Sequence, residues 1–224
     1  MTEVFQTDRL VVREWTDEPA DLDRIYDIYS RWEVARWLGA QPQAMASRDQ
    51  APGVVRRWRE LHSASGGRYG AWAVQPRGTG LVAGTVLFKP LPNGAGEVEV
   101  GWHLHPDSWG HGYATESARG AVERGFRAGL TEVYAVVRPD NAASLAVCRR
   151  LGMTPLGRTE RWYGVPVEAF RIDRPATAAA RSATAAARPA IAADRSATET
   201  GRPPAGGDRP ATEVDVDQSG TMSR

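Results

Sequence analysis

Residues Gly96 to Ala128 read GEVEVGWHLHPDSWGHGYATESARGAVERGFRA, and their order is strand, glycine-bearing turn, long helix. Val98, Val100, Trp102 and Leu104 alternate with Glu97, Glu99, Gly101 and His103, the two-residue period of a strand. Pro106 stops the ladder, because it has no N–H and a fixed φ. Ala114, Ala118, Ala121, Val122 and Phe126 then recur at helical spacing. Between the two lies Trp109-Gly110-His111-Gly112-Tyr113-Ala114, whose glycines let the backbone turn sharply. The first N–H groups of a helix lack internal partners, and the helix dipole places partial positive charge there. The turn is thus a candidate anion site built from main chain. A P-loop needs Gly-Lys-Ser/Thr after the glycines, and no lysine follows here. A dinucleotide fingerprint needs a third glycine where this chain has Thr115, and a strand ending in an acidic residue where Glu132 starts one. A plain strand-to-helix turn is the third reading, and the order of the flanking elements favours the anion site over it.

Composition narrows the function classes. The 224 residues suffice for one domain of ordinary size, and a net charge of +1 gives no electrostatic case for nucleic acid as a partner. One cysteine, Cys148, excludes an internal disulfide framework and fits a reducing compartment. It falls on the apolar side of its helix, as a buried structural thiol does. No apolar run approaches the ~18 residues of a membrane span. The start, MTEVFQTDRL, lacks the basic and apolar regions of a signal peptide. The expectation is a cytoplasmic protein with no membrane partner, either a monomer or a homodimer. His103, His105, His111 and Asp107 match no familiar zinc spacing, so no metal is expected.

The rest of the chain divides in two. From Arg174 the sequence becomes an Ala/Pro/Arg-rich tail in which arginine recurs every seven residues, from Arg174 through Arg181, Arg188, Arg195 and Arg202 to Arg209. There is no apolar seam for a coiled coil, and prolines interrupt any helix. The expected domains are therefore a folded unit over residues 1–173 and a disordered tail over 174–224. Within the first, Arg9–Glu14 reads as a strand, and Pro19 opens a helix with Leu22, Ile25, Tyr26 and Tyr29 inward. Arg31–Gln43 is irregular, and a second helix carries Val54, Val55, Trp58 and Leu61. Ala71–Gln75 and Leu81–Phe88 form a hairpin. After the central strand and helix come a strand at Glu132–Arg138, a short helix capped by Asn141 and closed by Gly152, and strands at Met153–Arg158 and Val167–Ile172. Helices on both faces of a mixed sheet are the natural packing of this order.

The run Trp109 to Glu116, WGHGYATE, resembles the cofactor turn of the GNAT superfamily of N-acetyltransferases. Its first position is Trp109 where the general pattern has Gln or Arg, a form similar to that of the ribosomal-protein N-terminal acetyltransferases (the RimJ/RimL-like branch). The resemblance covers about residues 7–173. It implies an α/β fold, a three-layer αβα arrangement around a mixed, mostly antiparallel sheet of about seven strands. It also implies acetyl-CoA as co-substrate, its pyrophosphate at Trp109, Gly110, His111, Gly112, Tyr113 and Ala114. Asn141 and its helix start, similar to the family's second motif, would line the pantetheine arm.

Acyl transfer to an amine needs a neutral amine, a polarised carbonyl and a stabilised leaving thiolate. Deprotonating a lysine amine at pH 7 costs about 4–5 kcal/mol, and an α-amine only about 1.4 kcal/mol. A base is valuable for either, and Glu99, mid-strand and opposite Val98 and Val100, is the candidate, with Glu97 behind it. Carbonyl polarisation is expected from main-chain N–H groups at His103 or Leu104. By the resemblance a tyrosine on this helix would serve the thiolate; none lies between Ala142 and Gly152, and Ser144 is the hydroxyl there. Trp37, Trp72 and Tyr163 are candidates for a substrate groove. The reading is an N-acetyltransferase acting on a primary amine, with a protein N-terminus favoured by the resemblance. The alternatives are a non-catalytic acyl-CoA-binding or sensing module and a transferase using another acyl-CoA.

Overall fold

In a computed structural model, which describes residues 2–175, the elements run in chain order. They are β1 (Glu3–Gln6), β2 (Leu10–Arg13), α1 (Pro19–Tyr29), α2 (Trp32–Ala35), α3 (Ala51–Ala64), β3 (Gly70–Pro76), β4 (Gly84–Pro90), β5 (Val98–Leu104), α4 (Tyr113–Arg127), β6 (Glu132–Val137), α5 (Ala142–Leu151), β7 (Thr154–Thr159) and β8 (Val167–Asp173). The strands form one sheet ordered β1-β2-β3-β4-β5-β6-β8-β7. Every neighbouring pair is antiparallel except β5 with β6. The mixed α/β architecture is the expected one, with eight strands where seven were expected. The additional strand, β1, is four residues, exposed at both ends and half-buried between, and carries no alternation to betray it. The stretch expected to be irregular holds the single turn of α2. Most of the expected tail, all but Arg174 and Pro175, lies outside the described residues.

Each face of the sheet has its own core. On one, Val86, Phe88, Val98 and Val100 pack under Ala118, Ala121 and Val122 of α4 and Val147, Cys148 and Leu151 of α5. The helix α4 can lie this close because its inward positions are small. A Cβ on Gly120 would sit 2.5 Å from the Phe5 ring, so the glycine is what lets β1 cross the helix. On the other face, Trp15, Leu22, Ile25, Ile28 and Val55 of the α1 and α3 layer close over Ala73 and Val82. A buried ion pair ties this layer to the sheet. Arg13 on β2 donates to both carboxylate oxygens of Asp21 on α1, at 2.7 and 2.8 Å. Burial would raise the Asp21 pKa, but the bonds from Arg13 and Thr16 outweigh it and hold the carboxyl below its usual range.

Trp72, expected in the substrate groove, belongs to the first core. It is 1% exposed and packed edge-on against Phe5. Strand alternation explains this: Ala71 and Ala73 take the other face of β3, and the indole is carried inward beneath α4.

Candidate functional site

β5 is paired along its length with β4, from Gly84 beside Leu104 to Pro90 beside Val98. On its other edge it touches β6 at a single register position, Glu99 beside Tyr134. Beyond that point the two parallel strands part. The ladder's phase says which groups are left in the gap. His105 N–H donates to Ala83 O across the β4 side. Alternation then turns His103 N–H towards β4 as well, and Trp102 and Leu104 N–H towards the gap. The expectation that His103 polarises a carbonyl through its main chain is corrected: Trp102 and Leu104 carry the free donors.

The gap opens into a cavity of about 310 Å³ lined by Trp37, Lys89, Glu99, His103, Asn141, Ser144 and Tyr163 among others. The register places Lys89 opposite Glu99 and Thr85 opposite His103, all on one face of the sheet. Glu99 is only 4% exposed. Its charge is compensated at one oxygen: Lys89 Nζ lies 2.6 Å from Oε1, and the Tyr163 hydroxyl donates to the same atom. No donor among the described residues meets Oε2. Lys89 Nζ also donates to Tyr163 OH at 3.1 Å. Burial first, then the charge and hydrogen bond of Glu99, raises the Tyr163 pKa far above its ordinary value, so the phenol stays a neutral donor. The sequence marks Lys89 only as the chain's one lysine, a coding bias rather than a site, yet a mid-sheet carboxylate needs a partner.

At the far side of the gap Asn141 caps α5, its Oδ1 accepting from Ser144 N–H at 3.1 Å. Ser144 Oγ accepts from Trp102 Nε1 at 3.3 Å, which leaves the serine O–H proton free to donate. Trp37 borders the mouth under the Arg36 guanidinium, 4.3 Å above its ring. Cys148 is fully buried, and burial pushes its thiol up to about 12, so no thiolate nucleophile is available.

The turn leads from β5 into α4. Gly110 and Gly112 both have left-handed φ, +78° and +79°, which L side chains rarely adopt. Trp109 Nε1 donates to Leu104 O at 2.9 Å, which fastens the turn to the end of β5. His111 stacks on Tyr113 at 5.3 Å, and Ala114 is half-buried in the first turn of α4. Among the described residues no acceptor takes the N–H groups from Gly110 through Thr115, and no side chain caps the helix. Arg9 brings a full positive charge to the same place. A Cβ on Gly112 would stand 3.3 Å from its Nη2. Glu116 holds Arg9 there through a 2.6 Å ion pair, and also accepts from Arg9 N–H and the Thr7 hydroxyl. Burial would raise the Glu116 pKa, but these bonds outweigh it and keep the carboxyl ionised to lower pH. Six unpaired N–H donors, two glycines and an arginine fit a pyrophosphate. Among the described residues no group of His, Cys, Asp and Glu is arranged to hold a metal ion, and no helix is long and apolar enough to cross a membrane.

A mixed sheet that parts beside a buried carboxylate, with unpaired main-chain N–H groups at its mouth, is the geometry of a site that can take an anionic donor. The chain belongs to the acetyltransferase (GNAT) domain family, whose model matches residues 9–154. It is therefore an acetyltransferase that draws on acetyl-CoA. An uncharacterized N-acetyltransferase of Bacillus subtilis, YoaA, is 32% identical over 158 residues, which is 70% of this chain and 86% of the relative. Among solved structures, a GNAT-family acetyltransferase from Bacillus anthracis superposes with a TM-score of 0.62 at 20% identity, covering 77% of this chain and 98% of that one. RimL, described as the ribosomal L7/L12 α-N-protein acetyltransferase and solved with coenzyme A, gives 0.63 at 18% identity, covering 76% and 97%. These likenesses show the fold.

Proposed function

We propose that the chain transfers the acetyl group of acetyl-CoA to a primary amine in the cavity between β5 and β6, and that its acceptor is an α-amine at a protein N-terminus. Bound acetyl-CoA supplies an acyl carbon joined to a thiolate leaving group. The turn from Trp109 to Ala114 and Arg9 hold its pyrophosphate, and Asn141 borders the pantetheine arm. Trp102 and Leu104 N–H are aimed where charge develops on the carbonyl oxygen. The Ser144 O–H is free to donate to the departing sulfur. Trp37 and Tyr163 wall the acceptor side.

The observation that carries the reading is Glu99, a carboxylate enclosed by the sheet with one oxygen neutralised and the other open to the cavity. Its Oε2 takes up the proton that the amine sheds. Five residues along a strand span roughly 16 Å, so a proton released beside Leu104 reaches Glu99 through water. An α-amine costs about 3 kcal/mol less to deprotonate than a lysine, so it asks less of the base. The RimL likeness supports the same acceptor class.

The test is intact mass spectrometry of an amine panel incubated with the protein and acetyl-CoA. The panel contains peptides with a free α-amine, N-blocked peptides with one lysine, and small primary amines. The expected result is one acetyl group added to α-amine peptides. Acetylation of lysine peptides alone would overturn the acceptor class, and no product on any amine would overturn the proposal.

A further inference from the structure

We infer that the His103 imidazole is a catalytic group of this site, its Nε2 meeting the acceptor amine and taking the amine's proton before Glu99 receives it. This rests on the amine-transfer reading above and adds the group that touches the acceptor.

The first argument is position. The free donors of Trp102 and Leu104 flank His103 on the same strand, so a carbonyl held by them lies one residue from this side chain. Glu99 stands four residues away, too far for direct contact. The His103 side chain shares the cavity face with Glu99, as the register with Thr85 and Lys89 requires. Gly101 lies between them, and the Leu87 side chain from β4 packs where its Cβ would stand, at 3.0 Å.

The second argument is orientation. His103 Nδ1 is 3.2 Å from Tyr29 OH. The Tyr29 hydroxyl spends its one proton on Thr85 Oγ1, at 2.9 Å. Towards the imidazole, then, the phenol can only accept, and Nδ1 carries the ring proton. Nε2 is left with its lone pair, and no group among the described residues bonds to it. The Tyr29 ring meets the imidazole edge-on at 5.9 Å, which fixes the plane as well as the tautomer. Tyr29 itself is buried at the end of α1, and burial raises its pKa well above the ordinary value, so it remains a neutral clamp.

The third argument is charge. Burial, with the Lys89 cation second, pushes the His103 pKa down to about 4. Lys89 and Glu99 are the charged groups on its face of the sheet, and Arg138 also lines the cavity. The ring is neutral at physiological pH and keeps its lone pair throughout.

The step balances. The amine lone pair forms the C–N bond, the C–S bond breaks with its electron pair leaving on sulfur, and the nitrogen's surplus proton passes to His103 Nε2. An imidazolium here is disfavoured, so the proton moves on through water to Glu99 Oε2 and the ring is restored.

The test uses the full chain and an α-amine peptide shown by mass spectrometry to be acetylated. His103→Gln should lower kcat by about 10²-fold, the lower end of a general base's worth. Its KM for acetyl-CoA should stay within about twofold. Independently of activity, 15N NMR of wild type at pH 7 should show His103 neutral and protonated on Nδ1, and Tyr29→Phe should disturb that tautomer. A folded His103→Gln protein with wild-type kcat would overturn the inference while leaving amine transfer intact. So would an Nε2-protonated or charged His103 at pH 7. A wild type that acetylates no amine would remove the parent reading and this one with it.

Discussion

Trp72 and His103 show how far a single residue can be read from its neighbours in sequence. Both lie in well-formed strands, and alternation alone decides which way each side chain goes. Trp72 was legible as a large aromatic but not as to face, because Ala71 and Ala73 on either side are also apolar. It turns inward, 1% exposed, against Phe5 and beneath α4. Trp72→Ala should therefore cost about 3–5 kcal/mol of stability in urea unfolding, the usual range for a buried tryptophan, and leave KM for amine and acetyl-CoA unchanged in the folded fraction. An intact stability with a raised amine KM would return Trp72 to the groove. For His103 the sequence pointed to a main-chain donor that the ladder turns towards β4, since which strand edge stays unpaired depends on β6, some thirty residues further on. Glu99 was legible because a carboxylate between two valines in mid-strand has to face something polar. Its partner Lys89 sits on a separate strand, and only the β4 to β5 register brings the two together.

At the level of elements, the central strand, turn and helix were plain in the sequence, and what holds them at the right angle was not. The junction between β5 and the turn is a 3-10 segment at Pro106–Ser108. It is pinned to α1 by charges far apart in sequence. Arg24 donates to both oxygens of Asp107 at 2.9 Å, and His105 lies 3.1 Å from Asp27. Burial would raise the Asp107 pKa, but Arg24, Ser108 and His105 outweigh it and bring the carboxyl down to about 2. The unfolded chain, whose Asp107 has an ordinary pKa near 3.8, binds this proton first as pH falls. The stabilisation is thus complete above about pH 4 and drains away towards pH 2. Asp107→Asn should melt lower than wild type at neutral pH, and the gap between the two should narrow over that window. Thermal melts at several pH values test this, and a gap that stays constant down to pH 2 would contradict it. The edge strand β1 was missed for a related reason: four residues offer too short a pattern, and its place is fixed by Gly120 of α4 across the sheet.

On the scale of the whole molecule, the proposed reaction takes one side of the sheet for each reactant. The α4 and α5 face carries the anion turn, the Asn141 cap and Ser144, proposed for acetyl-CoA. The α1 and α3 face carries Tyr29, and on it lie Lys89, Glu99 and His103, proposed for the amine. The two meet only where β5 and β6 part, and a sequence shows strands without showing which of them separate. The central claim is that an amine is deprotonated at this opening, with Glu99 as the final proton acceptor. The pH–rate profile of wild type and Glu99→Gln, measured on one α-amine peptide and one lysine peptide, tests it most directly. The account predicts that Glu99→Gln binds acetyl-CoA normally and loses about 10²–10⁴ in kcat/KM near neutral pH. The loss should shrink as pH rises and more amine is neutral unaided, and it should be smaller for the α-amine than for the lysine. Equal rates for the two proteins from about pH 6 to 9 on both peptides would contradict it.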